Sequence, residues 1–528
     1  MSTISLREAR RTEFLQTFRH RMRQRLSHHA RTLSALLAPM TGMNDVASTK
    51  MLIEVLDGPP GSGKSTVMRD EAEAVGGRYV FAYPTIPLLR EQAKALRAAG
   101  KLIVNEVHSK SPGKGTVKRR LAEAMNDAAS SGIRDVAVLT THETFMGCDP
   151  TTFTDWHIRI DEAPVAAQSG KVRIPTSRDI FKAKFGLAPV GTKGWHEVQL
   201  LDEADRWTDI AADDLTARMA EFMKQAARPA GVYVDVSSWD ERSFRWCAIW
   251  SPHVFEGIPS SMTIAGASYA HSIGALIAKD RVRFRYRSVP MARSETPTIR
   301  IHYFTHAHRG TSTFWATSEG RKMVVQVCDY LTKYVPDLGF WSGNDVVKIL
   351  MEHRLSGQMI DAKALGRNEY DDLRSCAFIY SSTVTPDDEP LKELAQLTDA
   401  QIERAREEED VLQFAMRGAI RKRDFGGDYD IYLYTKKQAD DLALKLNASQ
   451  VGIVTVIPIT AAGILTETAT RKKTSGAKPD AAKPRTKIKS SRTGKMVWSD
   501  SEAKNTKRAK DNSPKRPVGR PRKDAIQR

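Results

Sequence analysis

Eight residues, Gly58-Pro59-Pro60-Gly61-Ser62-Gly63-Lys64-Ser65, constrain the fold of this chain more than any other stretch. They satisfy the pattern G-x-x-x-x-G-K-[ST], which requires a strand to pass into a helix through a glycine-rich turn. The glycines let the backbone curl until successive N–H groups face one point, and the following helix adds the positive end of its dipole. Such a turn is built for phosphate. Leu52-Ile53-Glu54-Val55-Leu56 reads as the strand before it, and Ser65 to Val75 as the helix after it. The binding loop then comprises Gly58, Pro59, Pro60, Gly61, Ser62, Gly63, Lys64, Ser65 and Thr66. Lys64 is expected to reach the β- and γ-phosphates of a nucleotide such as ATP, and Ser65 to hold Mg²⁺.

A phosphate loop also needs a carboxylate at the end of a neighbouring strand. Trp156-His157-Ile158-Arg159-Ile160-Asp161-Glu162 supplies a β-branched run ending in two acids. Asp161 is expected to position Mg²⁺, and Glu162 to orient or deprotonate an attacking water.

At 528 residues the chain needs more than one domain. From about Met51 to Ala461, short β-branched runs alternate with longer helical stretches, which predicts parallel α/β sheets. One series of strands covers Leu52–Leu56, Tyr79–Ala82, Val136–Thr140, Ile158–Ile160 and Met262–Ala265. A second covers Ile299–Tyr303, Cys376–Tyr380 and Ile431–Tyr434. The expected fold is α/β: an arm over residues 1–45, one unit over 46–290, a second over 291–462 and a tail over 463–528. The interval of about 165–260 is unusually long between two strands of the first unit. His196 to Arg228 places Leu200, Leu201, Ala204, Trp207, Leu215, Met219 and Phe222 at helical spacing, so a helical insertion is expected there.

The net charge of +18 is concentrated at the ends. Leu465–Arg528 holds 20 Lys and Arg against 6 acids, and Met1–Asp45 holds 8 Arg against 3, which leaves the body near neutral. Basic ends favour a polyanion partner, most simply nucleic acid. The tail, with Trp498 as its one aromatic residue, cannot bury enough apolar surface to offset its ordering entropy and is expected to be disordered. Cys148, Cys247, Cys328 and Cys376 lie far apart, which argues against a zinc module or a disulfide framework and suits a reducing cytoplasm. No apolar run reaches the roughly 20 residues that a bilayer crossing needs, so no membrane partner is expected.

Asp161-Glu162-Ala163-Pro164 resembles the DEAD/DEAH-type box of superfamily 2 helicases and translocases, and further segments follow in the family's order. Tyr83-Pro84-Thr85-Ile86-Pro87-Leu88-Leu89-Arg90-Glu91-Gln92 is similar to its Pro-Thr turn and Leu-rich helix. Leu139-Thr140-Thr141-His142 resembles the segment before the box, and Thr263 to Ser268 stands in the place of the coupling motif. Ala364-Leu365-Gly366-Arg367-Asn368 and Gln413 to Arg421 resemble the fifth and sixth motifs. The resemblance covers roughly residues 50–450. It implies two tandem RecA-like P-loop NTPase domains, with Lys64, Asp161, Glu162, Gln413, Arg417 and Arg421 catalytic at the cleft between them. Thr85, Arg90 and Thr141 are implied contacts to a nucleic-acid strand. The chain departs from the family in spacing Arg417 and Arg421 four apart rather than three, which leaves open which one acts as the finger. It also lacks an adenine-reading Gln motif upstream of Gly58, so the base is unassigned.

Lys515-Arg516-Pro517-Val518-Gly519-Arg520-Pro521-Arg522-Lys523 resembles an AT-hook, with Arg516, Arg520 and Arg522 as minor-groove contacts. The expected function is therefore an ATP-dependent helicase or translocase with DNA favoured over RNA. An RNA helicase and a nucleotide-gated DNA-binding switch without unwinding are the alternatives. The size and basic tail fit a cytoplasmic factor of a bacterium, plasmid or phage.

Overall fold

A computed structural model describes residues 50–173, 182, 184–192, 194–201, 219–229, 231–306, 310–363 and 369–465, together with two short strands at 487–489 and 496–498. The basic arm, the Ala364–Asn368 segment and the AT-hook-like residues Arg516, Arg520 and Arg522 lie outside the described residues. The two short strands form an antiparallel ribbon in a unit of their own, Thr468–Arg528.

Two parallel sheets carry the rest. The first has seven strands, in the spatial order Arg283–Ser288, Leu52–Asp57, Ser261–Gly266, His157–Asp161, Arg78–Tyr83, Val136–Thr141 and Ile103–Glu106. Every neighbouring pair is parallel. Central parallel strands are covered on both faces, which explains why they read as unbroken apolar runs. Ile53, Val55, Leu56, Val80, Ile158, Ile160 and Ile264 are fully buried, and each such side chain contributes about 1.5–3 kcal/mol relative to exposure. The second sheet has six parallel strands, in the order Gln358–Met359, Phe340–Gly343, Ser375–Ile379, Asp428–Thr435, Thr298–Thr305 and Ile453–Pro458. The α/β expectation of tandem RecA-like sheets thus holds, with the strands of both series in place.

Local chemistry sets the helix ends. The Ile86–Ala99 helix starts where the Thr85 hydroxyl accepts from Leu88 N at 3.4 Å, and it stops at left-handed Gly100. The Lys436–Ala448 helix opens with a reciprocal capping box between Thr435 and Gln438.

The insertion corrects the sequence reading. In place of a helical segment stands a five-stranded antiparallel sheet, in the order Ala167–Arg173, Ser243–Ile249, Val232–Asp235, Trp195–Leu200 and Phe185–Pro189. Only Ala220–Ala226 of the expected helix is an α-helix among the described residues, and Trp195–Leu200 is a strand. Leu200 of the expected stripe lies in a strand and Phe222 in the short helix, while Ala204, Trp207 and Leu215 lie outside the described residues. Phe244, Trp246 and Ala248 pack with Val232, Val234 and Phe222 into the insert's own core. Cys247 and Ile249, pointing the other way, pack on Leu391, Leu397 and Leu394 of the second α/β unit. Trp195 Nε1 donates to Glu393 Oε2 at 2.7 Å across the same contact. All four cysteines are buried and free.

Candidate active site

The buried Leu52–Asp57 strand delivers the chain into the phosphate loop. Gly61 (φ +82°) and Gly63 (φ +93°) take left-handed conformations that a β-carbon disfavours. The Lys64–Val75 helix begins directly on Gly63. Lys64 Nζ donates to Gly58 O at 2.7 Å and to Pro59 O at 2.9 Å. Burial lowers its pKa, opposed by the fields of Asp161, Glu409 and Glu162. Ser62 is buried, and its Oγ has no hydrogen-bond partner.

The neighbouring strand brings the acids in. Ala265 pairs with Asp161 and Gly266 with Asp57, so three strand ends finish in one row beside the loop. Ser65 Oγ lies 2.8 Å from both carboxylate oxygens of Asp161, to which it donates. Burial raises the pKa of Asp161, and the Ser65 hydroxyl and Lys64 oppose that shift. Glu162 sits at φ +64°, a left-handed conformation costing about 1–3 kcal/mol for a residue with a β-carbon. Burial, with Asp161 and Glu409 nearby, pushes its carboxyl up to about 8. The turn is anchored by His142, whose Nε2 is 2.9 Å from Asp161 O. Burial pulls this imidazole down to about 4, so the ring is neutral near pH 7 and its N–H donates to the carbonyl.

The second sheet closes the site from the other side. A cleft of about 370 Å³ is lined by the phosphate loop, Asp161 and Glu162 on one wall and by Gln413, Arg417 and Arg421 on the other. The Arg417 guanidinium is buried, donates to Asp361 O at 3.0 Å and lies over the Phe414 ring. Burial lowers its pKa to about 10. Arg421 passes so close to the loop that a β-carbon on Gly61 would stand 2.8 Å from its Cγ. Gln413 Nε2 donates to Glu409 Oε1 at 2.9 Å, one helical turn back. On the first-unit side, Ser268 N donates to Asp57 Oδ1 at 2.9 Å, tying the segment after Gly266 to the phosphate-loop strand.

Sequence reading missed three residues here. Arg423 Nη2 donates to Ser62 O at 2.9 Å, from one unit to the other. Glu409 adds a carboxylate whose field reaches Lys64 and Glu162. His142 was visible only as part of a segment. The run Arg421-Lys422-Arg423 was visible, yet linear order could not say which of its cations faces the loop. The implied nucleic-acid contacts do not meet this cleft. Thr85 caps its helix, Thr141 caps the His142–Gly147 helix with its hydroxyl 3.1 Å from that of Thr144, and Arg90 is exposed on the Ile86–Ala99 helix.

These donors fit a nucleoside triphosphate with its magnesium. The loop offers an ammonium and a buried hydroxyl without a partner, beside a hydroxyl–carboxylate pair of the kind that shares a divalent cation. No protein-family model matches the chain, and comparison with curated proteins finds no match. Among solved structures it is similar to Xpd4 of S. tokodaii, at 12% identity and a TM-score of 0.42 over 77% of this chain and 96% of that one. It is similar also to an XPD helicase, at 12% and 0.42 over 78% and 96%. A third likeness is to S. cerevisiae Dbp5 bound to RNA and ADP–BeF3, at 9% and 0.33 over 78% and 86%.

Proposed function

We propose that the chain is an ATP-dependent helicase or translocase, acting on DNA in preference to RNA and hydrolysing ATP between its two α/β units. One observation carries the reading. Ser65 and Asp161, 2.8 Å apart in the first unit, share a cleft with arginines that only the second unit supplies. A nucleotide-binding switch has no need of cations from a second unit. A motor does, because hydrolysis that depends on them is completed only when the units close.

In this reading ATP with Mg²⁺ supplies the phosphoanhydride to be broken. Lys64 leaves the Gly58 and Pro59 carbonyls for phosphate oxygens, while Ser65 and Asp161 would hold the Mg²⁺ that neutralises phosphate charge. Glu162, kept in place by His142 through the Asp161 carbonyl, orients the attacking water. Arg421 is the finger, because Arg417 is committed to Asp361 O and Phe414 while Arg421 lies against the loop. Gln413 supports the far wall. The preference for DNA rests on the basic tail and its AT-hook-like run, and Thr85, Arg90 and Thr141 stand as the strand contacts of the first unit.

The deciding experiment measures ATP turnover of the full chain with a panel of single- and double-stranded DNA and RNA, beside Lys64→Ala. Stimulation by DNA, abolished by Lys64→Ala, is the expected result. Turnover indifferent to every polynucleotide would overturn the motor reading, and stimulation by RNA alone would overturn the preference for DNA.

A further inference from the structure

The stretch between the two sheets runs across the phosphate loop before it reaches the second unit. Val289 N donates to Asp57 O at 2.7 Å, and the Val289 carbonyl leaves no room for a β-carbon on Gly58. Met291 follows, its Cε 3.6 Å from where a β-carbon of Gly61 would be. Arg293 then turns to the other unit. Its Nη1 donates to Lys422 O at 3.0 Å and to Phe425 O at 3.4 Å, and its Nη2 donates to Ile420 O. Next to it, Ser294 N donates to Arg423 O at 3.0 Å.

Four carbonyls of one irregular turn, Ile420 to Phe425, are therefore gathered by two adjacent residues that belong to neither sheet. The same turn carries Arg421, pressed on Gly61, and Arg423, bonded to Ser62 O. Beyond the short 3₁₀ turn Ala419–Arg421 it has no regular backbone of its own. Its local backbone bonds, Arg421 N to Gly418 O, Lys422 N to Ala419 O and Phe425 N to Lys422 O, close the turn but do not tie it to the phosphate loop. A guanidinium can do so, because its planar fork offers five donors in fixed directions, whereas a lysine ammonium offers a single point. Arg293 is half-buried, with its Nε enclosed and without a partner, which is costly, and the ordering of this turn is what its guanidinium secures.

We infer that Arg293 is a positioning residue for hydrolysis. It sets the Ala419–Phe425 turn, and through it Arg421 and Arg423, against the phosphate loop. The inference rests on the hydrolytic reading of the cleft and adds to it a residue outside every segment that resembles a helicase motif.

The test uses the full chain with Arg293→Gln and Arg293→Lys, read by ATP turnover, KM, affinity for a fluorescent ADP analogue and thermal midpoint. Misplacing the arginines should lower kcat by about 10- to 100-fold, while KM and ADP affinity stay at wild-type values and the midpoint moves by less than about 4 °C. Arg293→Lys should recover little of the loss. Unchanged kcat in both variants would overturn the inference, as would a loss shared by kcat, ADP affinity and midpoint, which marks a purely structural residue. Wild-type protein that binds ADP but never turns over ATP would instead sink the hydrolytic reading, and the inference with it.

Discussion

Arg417 and Arg421 are four residues apart in the sequence and lead different lives in the fold. Arg417 is 4% exposed, with its guanidinium spent on a backbone carbonyl and an aromatic face. Arg421 lies over the phosphate loop, close enough to oppose the upward pKa shifts of Asp161 and Glu162. Their substitutions should therefore separate. Arg421→Ala is expected to lower kcat by about 10³-fold with little change in thermal midpoint. Arg417→Ala leaves Asp361 O without its donor, should cost about 1–3 kcal/mol, and should lower the midpoint measurably. Steady-state ATP turnover and thermal denaturation of both variants check this, and the reverse pattern would exchange the two roles. The same scale explains why Arg423 escaped notice: a cation that bonds Ser62 O across 361 residues leaves no trace in spacing.

Among the elements, the insert sheet holds an unbalanced charge. Glu197, on the Trp195–Leu200 strand opposite Tyr233 and Ala188, is buried, and its Oε2 has no partner. Burial alone pushes its carboxyl up to about 7. The folded state then holds a proton that the unfolded chain, with an ordinary value of 4.5, has already released. Stability must fall as pH rises between those two values and level off above about 7. Glu197→Gln removes this dependence. Its thermal midpoint should match wild type near pH 4 and exceed it at pH 8, with a gain on the order of 3 kcal/mol. Denaturation of both proteins across that range checks the sign, and a gain confined to acid would refute it. Asp430, on the second sheet, behaves in the opposite way. Burial alone would raise its pKa, but Arg300 and His302 more than reverse that and hold the carboxyl well below the usual range.

For the whole molecule, the proposed function makes the charge on the tail the main lever on nucleic-acid affinity. Deleting Leu465–Arg528 removes 20 cations and 6 acids. DNA binding should weaken, and the slope of log affinity against log salt should become shallower; a salt titration by fluorescence anisotropy reads both. Unchanged slope would show that the tail does not touch DNA. The two α/β units meet at the cleft and also where the insert sheet seats on Leu391 and Glu393. That second contact is made by a segment that leaves the first sheet just after Glu162.

Much of this was legible in the linear chain. The phosphate loop, its strand and the Asp161-Glu162 end are local features: glycine geometry, β-branched runs and acids at fixed positions specify them within a few residues. Both series of parallel strands were legible for the same reason, since buried central strands are apolar throughout. The insert was misread because its strands are short, and because Ser243–Ile249 is apolar on both faces, one packing on Phe222 and the other on a distant unit. The far wall of the cleft was legible only in part. Whether a given arginine reaches the loop, caps a carbonyl or stacks on a ring depends on how two units separated by hundreds of residues come together, and on a linker arginine that gathers one turn. Spacing encodes local backbone geometry; pairing across the cleft is settled by tertiary packing, where burial and hydrogen-bond geometry choose among cations that are equivalent in sequence.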